Sequence, residues 1–260
     1  MARKAKILAI ANQKGGVGKT TTAINLGAAL ARKGKKILVV DLDPHACASL
    51  HARIYPEEGQ ANLYDVFVAD EKLLPAIWPR LIRPTAMKGL DMAPGCIRLS
   101  ELENDFRDKR NKGSLLLAAL EEQRKNYDFI ILDCPPHLGI LLINALVAAD
   151  LLIIPTQTDF LALHGLKLLF DTLRTLSKVL PKPVMYRTVA TMYDKRTKAC
   201  TRVLDLLARK MGNAMFNTVI GVDTHFREAS AKGCSIFGID PRSRGAQGYE
   251  ALADEVLSIW

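Results

Sequence analysis

Eight consecutive residues gather the groups that a bound phosphate needs: Lys14-Gly15-Gly16-Val17-Gly18-Lys19-Thr20-Thr21. Glycines let successive backbone N–H groups converge on a phosphate with no Cβ in the way. Lys19 can reach the β- and γ-phosphates of a nucleoside triphosphate, and the Thr20 hydroxyl can ligate Mg²⁺. The helix that follows adds the partial positive charge of its N-terminus. A plain glycine-rich turn would not need the Gly-Lys-Thr order between an apolar run and a helical one. The chemistry expected is therefore binding of a nucleoside triphosphate with Mg²⁺ as its cofactor.

The elements that must position this loop are legible around it. Residues 6–11 form a short apolar run, read as a buried strand, and 20–33 follow with apolar residues at helical spacing, closed by Gly34. Runs 36–41, 129–133 and 151–155 read as further buried strands, with 184–191 and 217–220 beyond them. Helices are expected over 138–149, 160–179, 198–211 and 246–259. Repeated βα units imply an α/β fold, a mainly parallel twisted sheet with helices on both faces, of the P-loop NTPase type. Residues 1–260 read as one domain. Around 72–112 the rhythm breaks: Pro75, Pro79, Pro84 and Pro94 are followed by alternating charges over 98–112, which read as an insertion on the sheet.

Composition narrows the class. The chain is 49% hydrophobic and 24% charged, which argues against a disordered, collagen-like or disulfide-framework protein. Its five cysteines are odd in number and contain no C-x-x-C pair, as expected of reduced cytosolic thiols. The five histidines show no metal-ligand spacing. The most apolar stretch, 138–154, is interrupted by Asn144 and Asp150 and stopped by Pro155, too broken for a membrane span. A net charge of +9 favours an anionic partner.

The loop departs from the ordinary phosphate-loop pattern. The first glycine of that pattern would fall at Gln13, and a second lysine, Lys14, precedes the glycine pair. K-G-G-x-G-K-[ST]-[ST] resembles the deviant phosphate loop of the ParA/MinD superfamily of P-loop ATPases. The resemblance implies that Lys14 crosses a dimer interface to the partner's nucleotide phosphates, so that a homodimer forms in the ATP state. Val39-Val40-Asp41-Leu42-Asp43-Pro44 resembles the family's second acidic motif. By that resemblance Asp43 positions Mg²⁺-bound and attacking water, while Asp41 either ties the strand end to the phosphate loop or caps a turn. Ile130-Ile131-Leu132-Asp133-Cys134-Pro135-Pro136 resembles Walker B, with Asp133 holding Mg²⁺ through water at a strand's carboxyl end.

Within the superfamily the chain is most similar to short ParA/Soj-like partition ATPases. The segments that carry this are NQKGGVGKTTTAINL, DLDP, DFIILDCPP, TMYDKRT and EASAKG with DPRSRGAQGYEALADEV. They imply slow ATP hydrolysis to ADP and phosphate, stimulated by a ParB-like or cargo-adaptor protein, in a cytoplasmic, nucleoid-associated protein that binds double-stranded DNA without sequence preference. The short form lacks an N-terminal helix-turn-helix domain. The last helix carries Glu250, Asp254 and Glu255, which an anionic bilayer repels, so no stable membrane anchor is expected.

Arg196, in Asp194-Lys195-Arg196-Thr197, matches a family arginine implicated in DNA contact, and Lys195, Lys198 and Arg227 extend the basic surface. Aromatics make up only 6% of the chain and do not alternate with these charges, which argues against base stacking on a single strand. Phosphate contact on a duplex fits better. The family's I-P-R-N-V-R-L-x-E-A reads here IGVDTHFREA over 220–229. Gly221 replaces the proline, Val222 and His225 replace two arginines, and Asp223 remains to accept a hydrogen bond from an adenine amino group. This loss of arginines suits a relative that positions a protein cargo. Two further alternatives are a MinD-like membrane-associated division-site regulator and an iron–sulfur reductase using Cys96 and Cys134.

Overall fold

The computed structural model describes residues 4–55, 59–107, 112–178 and 183–260, and of residues 163 and 164 the backbone alone. Eight strands form one sheet in the order β3-β4-β2-β5-β1-β6-β7-β8. They are β1 (Lys6–Ile10), β2 (Ile37–Asp41), β3 (Arg83–Pro84), β4 (Leu90–Ala93), β5 (Phe129–Asp133), β6 (Leu151–Gln157), β7 (Tyr186–Tyr193) and β8 (Met215–Gly221). All neighbours pair in parallel except β3 with β4. The sheet is thus mainly parallel, as expected from the βα rhythm.

Along the chain the helices are α1 (Lys19–Arg32), α2 (Cys47–His51), α3 (Leu63–Val68), α4 (Leu74–Leu81), α5 (Leu102–Asp105), α6 (Leu115–Leu120), α7 (Ile140–Ala148), α8 (Ala162–Leu176), α9 (Lys198–Met211), α10 (His225–Lys232) and α11 (Arg244–Leu257). One apolar core joins Ile24 and Leu26 of α1 and Tyr249 of α11 to Leu8 and Ile10 of β1. The opposite core joins Trp78 of α4, Leu116 of α6 and Leu142 of α7 to Ile7 and Ala9. Alternate residues of β1 therefore feed opposite layers, which is why that strand is apolar throughout rather than alternating.

Two features of the stretch 72–112 differ from the insertion expected there. Residues Leu90–Ala93 are a sheet strand, paired in parallel with β2, and Trp78 is fully buried, its indole N–H donating to Ala119 O at 3.0 Å. The strand escaped notice because it is four residues long and interrupted by Asp91, whose carboxylate accepts from the Tyr127 hydroxyl. Pro75 sits in the first turn of α4, where a missing N–H costs nothing. Residues 108–111 of the charge-alternating segment, residue 179 of the expected 160–179 helix, and the His164 side chain lie outside the described residues.

Register brings the chemistry together. Ile10 of β1 and Asp41 of β2 both pair with Asp133 of β5. β5 and β6 flank β1, so the chain divides to either side at its carboxyl end. In open parallel sheets that is where a crevice forms.

Candidate nucleotide site

The loop from β1 to α1 is pinned at three points. Asn12 donates its amide to Pro155 O at 2.8 Å and accepts from Lys14 N at 3.0 Å. Thr191 Oγ1 donates to Val17 O at 2.9 Å. Gly16 and Gly18 lie at φ 74° and 91°, the left-handed region that favours glycine. A Cβ on either would meet nothing within 4 Å, so these glycines face open space. Gly18 precedes α1 without a side-chain cap. The first-turn N–H groups are thereby left for a ligand, the arrangement that binds anions.

Lys19 opens α1 and is only 8% exposed. Its ammonium donates to Lys14 O at 3.2 Å. Burial lowers its pKa, opposed by the charges of Asp133 and Asp43. An anion brought to this ammonium would relieve that desolvation.

Thr20 Oγ1 donates to Asp133 Oδ2 at 2.7 Å, and the other oxygen of that buried carboxylate, Oδ1, has no hydrogen-bond partner. A hydroxyl and a carboxylate with a spare buried oxygen are hard donors, the set that fits Mg²⁺. Among the described residues no group of three or more His, Cys, Asp or Glu side chains could hold a metal unaided. Mg²⁺ suits such a site because it is usually held by one or two carboxylates together with substrate phosphates. Burial, and then the charge of Asp41, push the Asp133 pKa well above the usual carboxylate range. A bound cation would reverse that.

Asp41 is wholly buried, and burial pushes its pKa up to about 6. Its carboxylate accepts from Ser49 N at 2.8 Å, Ser49 Oγ at 2.6 Å and Asp43 N at 3.2 Å. These are the bonds of a turn cap, the second of the two roles open to it, and they shape the segment that carries Asp43. Asp43 Oδ1 accepts from His45 N at 3.0 Å and lies 3.1 Å from the His45 ring.

These residues line a cleft of about 670 Å³ whose walls include Gly15, Lys19, Thr20, Asp43, Cys47 and Phe226. A second cleft of about 490 Å³ adjoins it, sharing Gly18, Thr21, Met192, Phe226 and Ser230 and adding Gln157, Gly221 and Tyr249. The first is lined by the phosphate-loop residues, and the second has room for a base. Asp223 lines the second cleft, but its carboxylate is already engaged: Oδ2 accepts from Gly245 N at 2.9 Å and Oδ1 from His225 N at 3.0 Å. The His225 ring sits 2.7 Å from the same Oδ1. The geometry thus makes Asp223 a clasp between the β8–α10 loop and α11, with Oδ2 accepting a single hydrogen bond.

A third concavity, about 710 Å³, lies on the other side of loop 221–224, lined by Lys195, Arg196, His225, Arg242 and Arg244. The structure brings Lys195 and Arg196 together there, whereas Arg227 lines the base-sized cleft and Lys198 begins α9. Arg196 donates to both oxygens of Asp194, at 2.9 and 2.7 Å, which draws the Asp194 pKa down to about 2. Arg242 and Arg244 escaped sequence reasoning. They sit in the DPRSRG segment, whose arginine spacing was the available signal.

Cys134 is buried, and burial raises its thiol pKa. Cys96 donates its thiol to Asn62 Oδ1 at 3.1 Å. Neither environment favours the thiolate an iron–sulfur cluster needs.

A parallel sheet whose central strand runs into this loop defines a P-loop ATPase fold. A family model described as an AAA domain matches residues 5–185. The sporulation initiation inhibitor protein Soj of Bacillus subtilis is 41% identical over 254 residues, covering 97% of this chain and 98% of that protein. The chromosome partitioning protein ParA of Caulobacter vibrioides is 37% identical over 256 residues, covering 97% and 94%. Among solved structures, cobyrinic acid a,c-diamide synthase of Mycobacterium smegmatis, with an ATP analog and magnesium bound, superposes with a TM-score of 0.82 at 28% identity. It covers 98% of this chain and 96% of that one. A McdA–ATP complex from Cyanothece superposes with a TM-score of 0.85 at 20% identity, a likeness of fold, covering 98% and 97%. The chain belongs to the ParA/MinD family of P-loop ATPases, with Soj and ParA among its relatives.

Proposed function

We propose that this protein is an Mg²⁺-ATP-dependent partition ATPase that dimerises around its nucleotides. The observation that carries the reading is the Thr20–Asp133 pair with its unpartnered buried oxygen, set beneath a phosphate loop. Mg²⁺, when bound, neutralises phosphate charge. Lys19 holds the β- and γ-phosphates, and the loop N–H groups and the α1 N-terminus hold the remaining negative charge. Asp43 orients a water toward the γ-phosphorus. The water oxygen bonds to phosphorus, the bond to the bridging oxygen of ADP breaks, and the water's proton leaves with the phosphate. Lys14 stabilises the same charge across the interface from the partner.

In the ATP-bound dimer two basic surfaces join and hold duplex DNA through phosphates, without sequence readout. A ParB-like partner stimulates slow hydrolysis and releases the dimer. Relatives named for chromosome partitioning support this cargo. The reading puts the protein in the cytoplasm at the nucleoid. Among the described residues no helix is long and apolar enough to cross a membrane.

A second reading, a protein cargo, draws on Val222 and His225 standing at the arginine positions of the motif that this segment resembles, and on the neutralisation of Arg196 by Asp194. ATP-dependent sedimentation with random-sequence DNA separates the two. Lys19→Ala tests the core of both: truncating a buried charge opposite phosphates costs about 3 kcal/mol, roughly a 100-fold loss of nucleotide affinity by calorimetry. Unchanged affinity would sink the proposal.

A further inference from the structure

The phosphate-sized cleft has two walls. One is α2, which follows Asp43 and contributes Cys47, Leu50 and His51. The other is α10, which contributes Phe226 and Ser230 and also carries Arg227. These walls are distant in sequence, yet they are fastened at the end remote from the phosphate loop.

Two side chains from the end of α2 make the fastening. His51 is 7% exposed, and its Nε2 lies 2.8 Å from Cys234 O, just beyond α10. A carbonyl only accepts, so Nε2 carries the hydrogen. Arg53 donates from its guanidinium to Ala231 O at 3.0 Å, within α10. Its aliphatic stem lies flat over Gly233: a Cβ there would stand 2.5 Å from Arg53 Cγ and 2.6 Å from Cδ. Positive charge at the carboxyl end of a helix is also favourable to the dipole.

Arg53 adopts this position at a conformational cost. It is a non-glycine residue at φ 56°, a left-handed conformation seldom held without compensation from its surroundings. A glycine there would satisfy the turn more easily. What a glycine cannot do is reach Ala231 and cover Gly233. The middle of α2 is fixed as well: Ser49 donates to Asp41, which accepts from Asp43 N.

From this we infer that His51 and Arg53 form a latch that makes the Asp43 segment and α10 move as one body, so that the presence of a γ-phosphate beside Asp43 is felt at the carboxyl end of α10. The latch rests on the nucleotide reading above and deepens it. It identifies two positioning residues that touch α10 on behalf of the phosphate-sensing segment. The coupling runs through two hydrogen bonds and one packed stem, and needs no change at the adenine.

Hydrogen exchange of the full chain with Mg²⁺ tests this, comparing ADP with a non-hydrolysable ATP analogue. The base and ribose are the same in both, so the difference reports the γ-phosphate alone. In the parent, the analogue should slow exchange over 231–236 by about fivefold relative to ADP, together with 43–50. Arg53→Gly suits the native φ and keeps the fold. It should bind both nucleotides as the parent does, keep the difference over 43–50 and at least halve it over 231–236. Adding His51→Leu should abolish the difference over 231–236. Full retention of the parent's difference in Arg53→Gly, or in the double variant while it folds, overturns the latch. So does a parent that binds both nucleotides with equal exchange over 231–236. A parent that binds neither nucleotide overturns the ATPase reading and the latch with it.

Discussion

Lys14 Nζ lies 2.6 Å from Asp159 Oδ2 and 3.4 Å from Gln157 Oε1, at the carboxyl end of β6 in its own chain. The two side chains are 26% and 35% exposed. The lysine proposed to serve a partner's nucleotide is therefore held in cis by a carboxylate. Reaching a partner exchanges that carboxylate for a phosphate, one anion for another. Asp159 is itself fixed, since its Oδ1 accepts from Ala162 N at the start of α8.

Weakening this hold should favour association. Asp159→Asn keeps an oxygen for the α8 cap and removes the charge. A partly exposed pair contributes about 0.5–1 kcal/mol, so the ATP-state dimer should tighten by about threefold. Lys14→Ala should still bind ATP yet fail to dimerise. Sedimentation in an Asp43→Ala background, where hydrolysis is slowed, reads both. A Lys14→Ala protein that still dimerises ends the trans role.

Asp133→Asn should separate the metal from the fold. Burial raises the Asp133 pKa above its unfolded value, so the native carboxyl resists ionisation and stability falls as pH rises past the unfolded pKa. Asparagine removes that loss. Without nucleotide, the variant should melt higher than the parent at pH 8, with the gap closing in acid. The same variant should lose roughly 10–100-fold of the ATP affinity that Mg²⁺ confers. Full magnesium dependence in the variant would dismiss Asp133 as a metal group.

His51 has its pKa lowered, by burial first and against the pull of the Cys234 carbonyl. As pH falls, the unfolded chain then takes a proton before the native state does, and stability is lost below the ordinary histidine range. His51→Gln retains an amide donor without titrating. Denaturant unfolding from pH 8 to 5 should show the variant gaining on the parent as acid increases. Parallel pH profiles would contradict a buried neutral imidazole.

The basic groove makes a quantitative claim about DNA. Each phosphate contact contributes about −0.9 to the slope of log affinity against log salt. Arg242→Ala and Arg244→Ala should each flatten that slope by about one contact and weaken all sequences alike. Arg196→Ala should do less, because Asp194 already engages its guanidinium. Salt titrations with duplex DNA in the ATP state measure all three, and an unchanged slope in every variant would favour the protein-cargo reading.

Much of this was local information. The phosphate loop, its strand and its helix are contiguous, and glycine spacing, a lysine and two hydroxyls declare them in sequence, although Pro155 and Thr191 help to pin the loop. Apolar runs such as the FIIL of β5 declare a strand buried on both faces, so the parallel α/β fold and the family were legible in sequence alone. What sequence could not decide was which distant groups satisfy one another. Thr20 meets Asp133 across 113 positions. Lys14 meets Asp159, and His51 meets Cys234, because parallel pairing brings strand ends and helix ends to one edge. Asp223 reads as a lone acceptor in sequence, and folding brings Gly245 and His225 to its oxygens. β4 read as part of an insertion because four residues hold too little pattern to outweigh the prolines around them. Side-chain chemistry and local spacing are properties of the chain. The partner that desolvates, pairs or strands each group is a property of the packed sheet, since only tertiary contact removes the water that would otherwise serve every one of them equally.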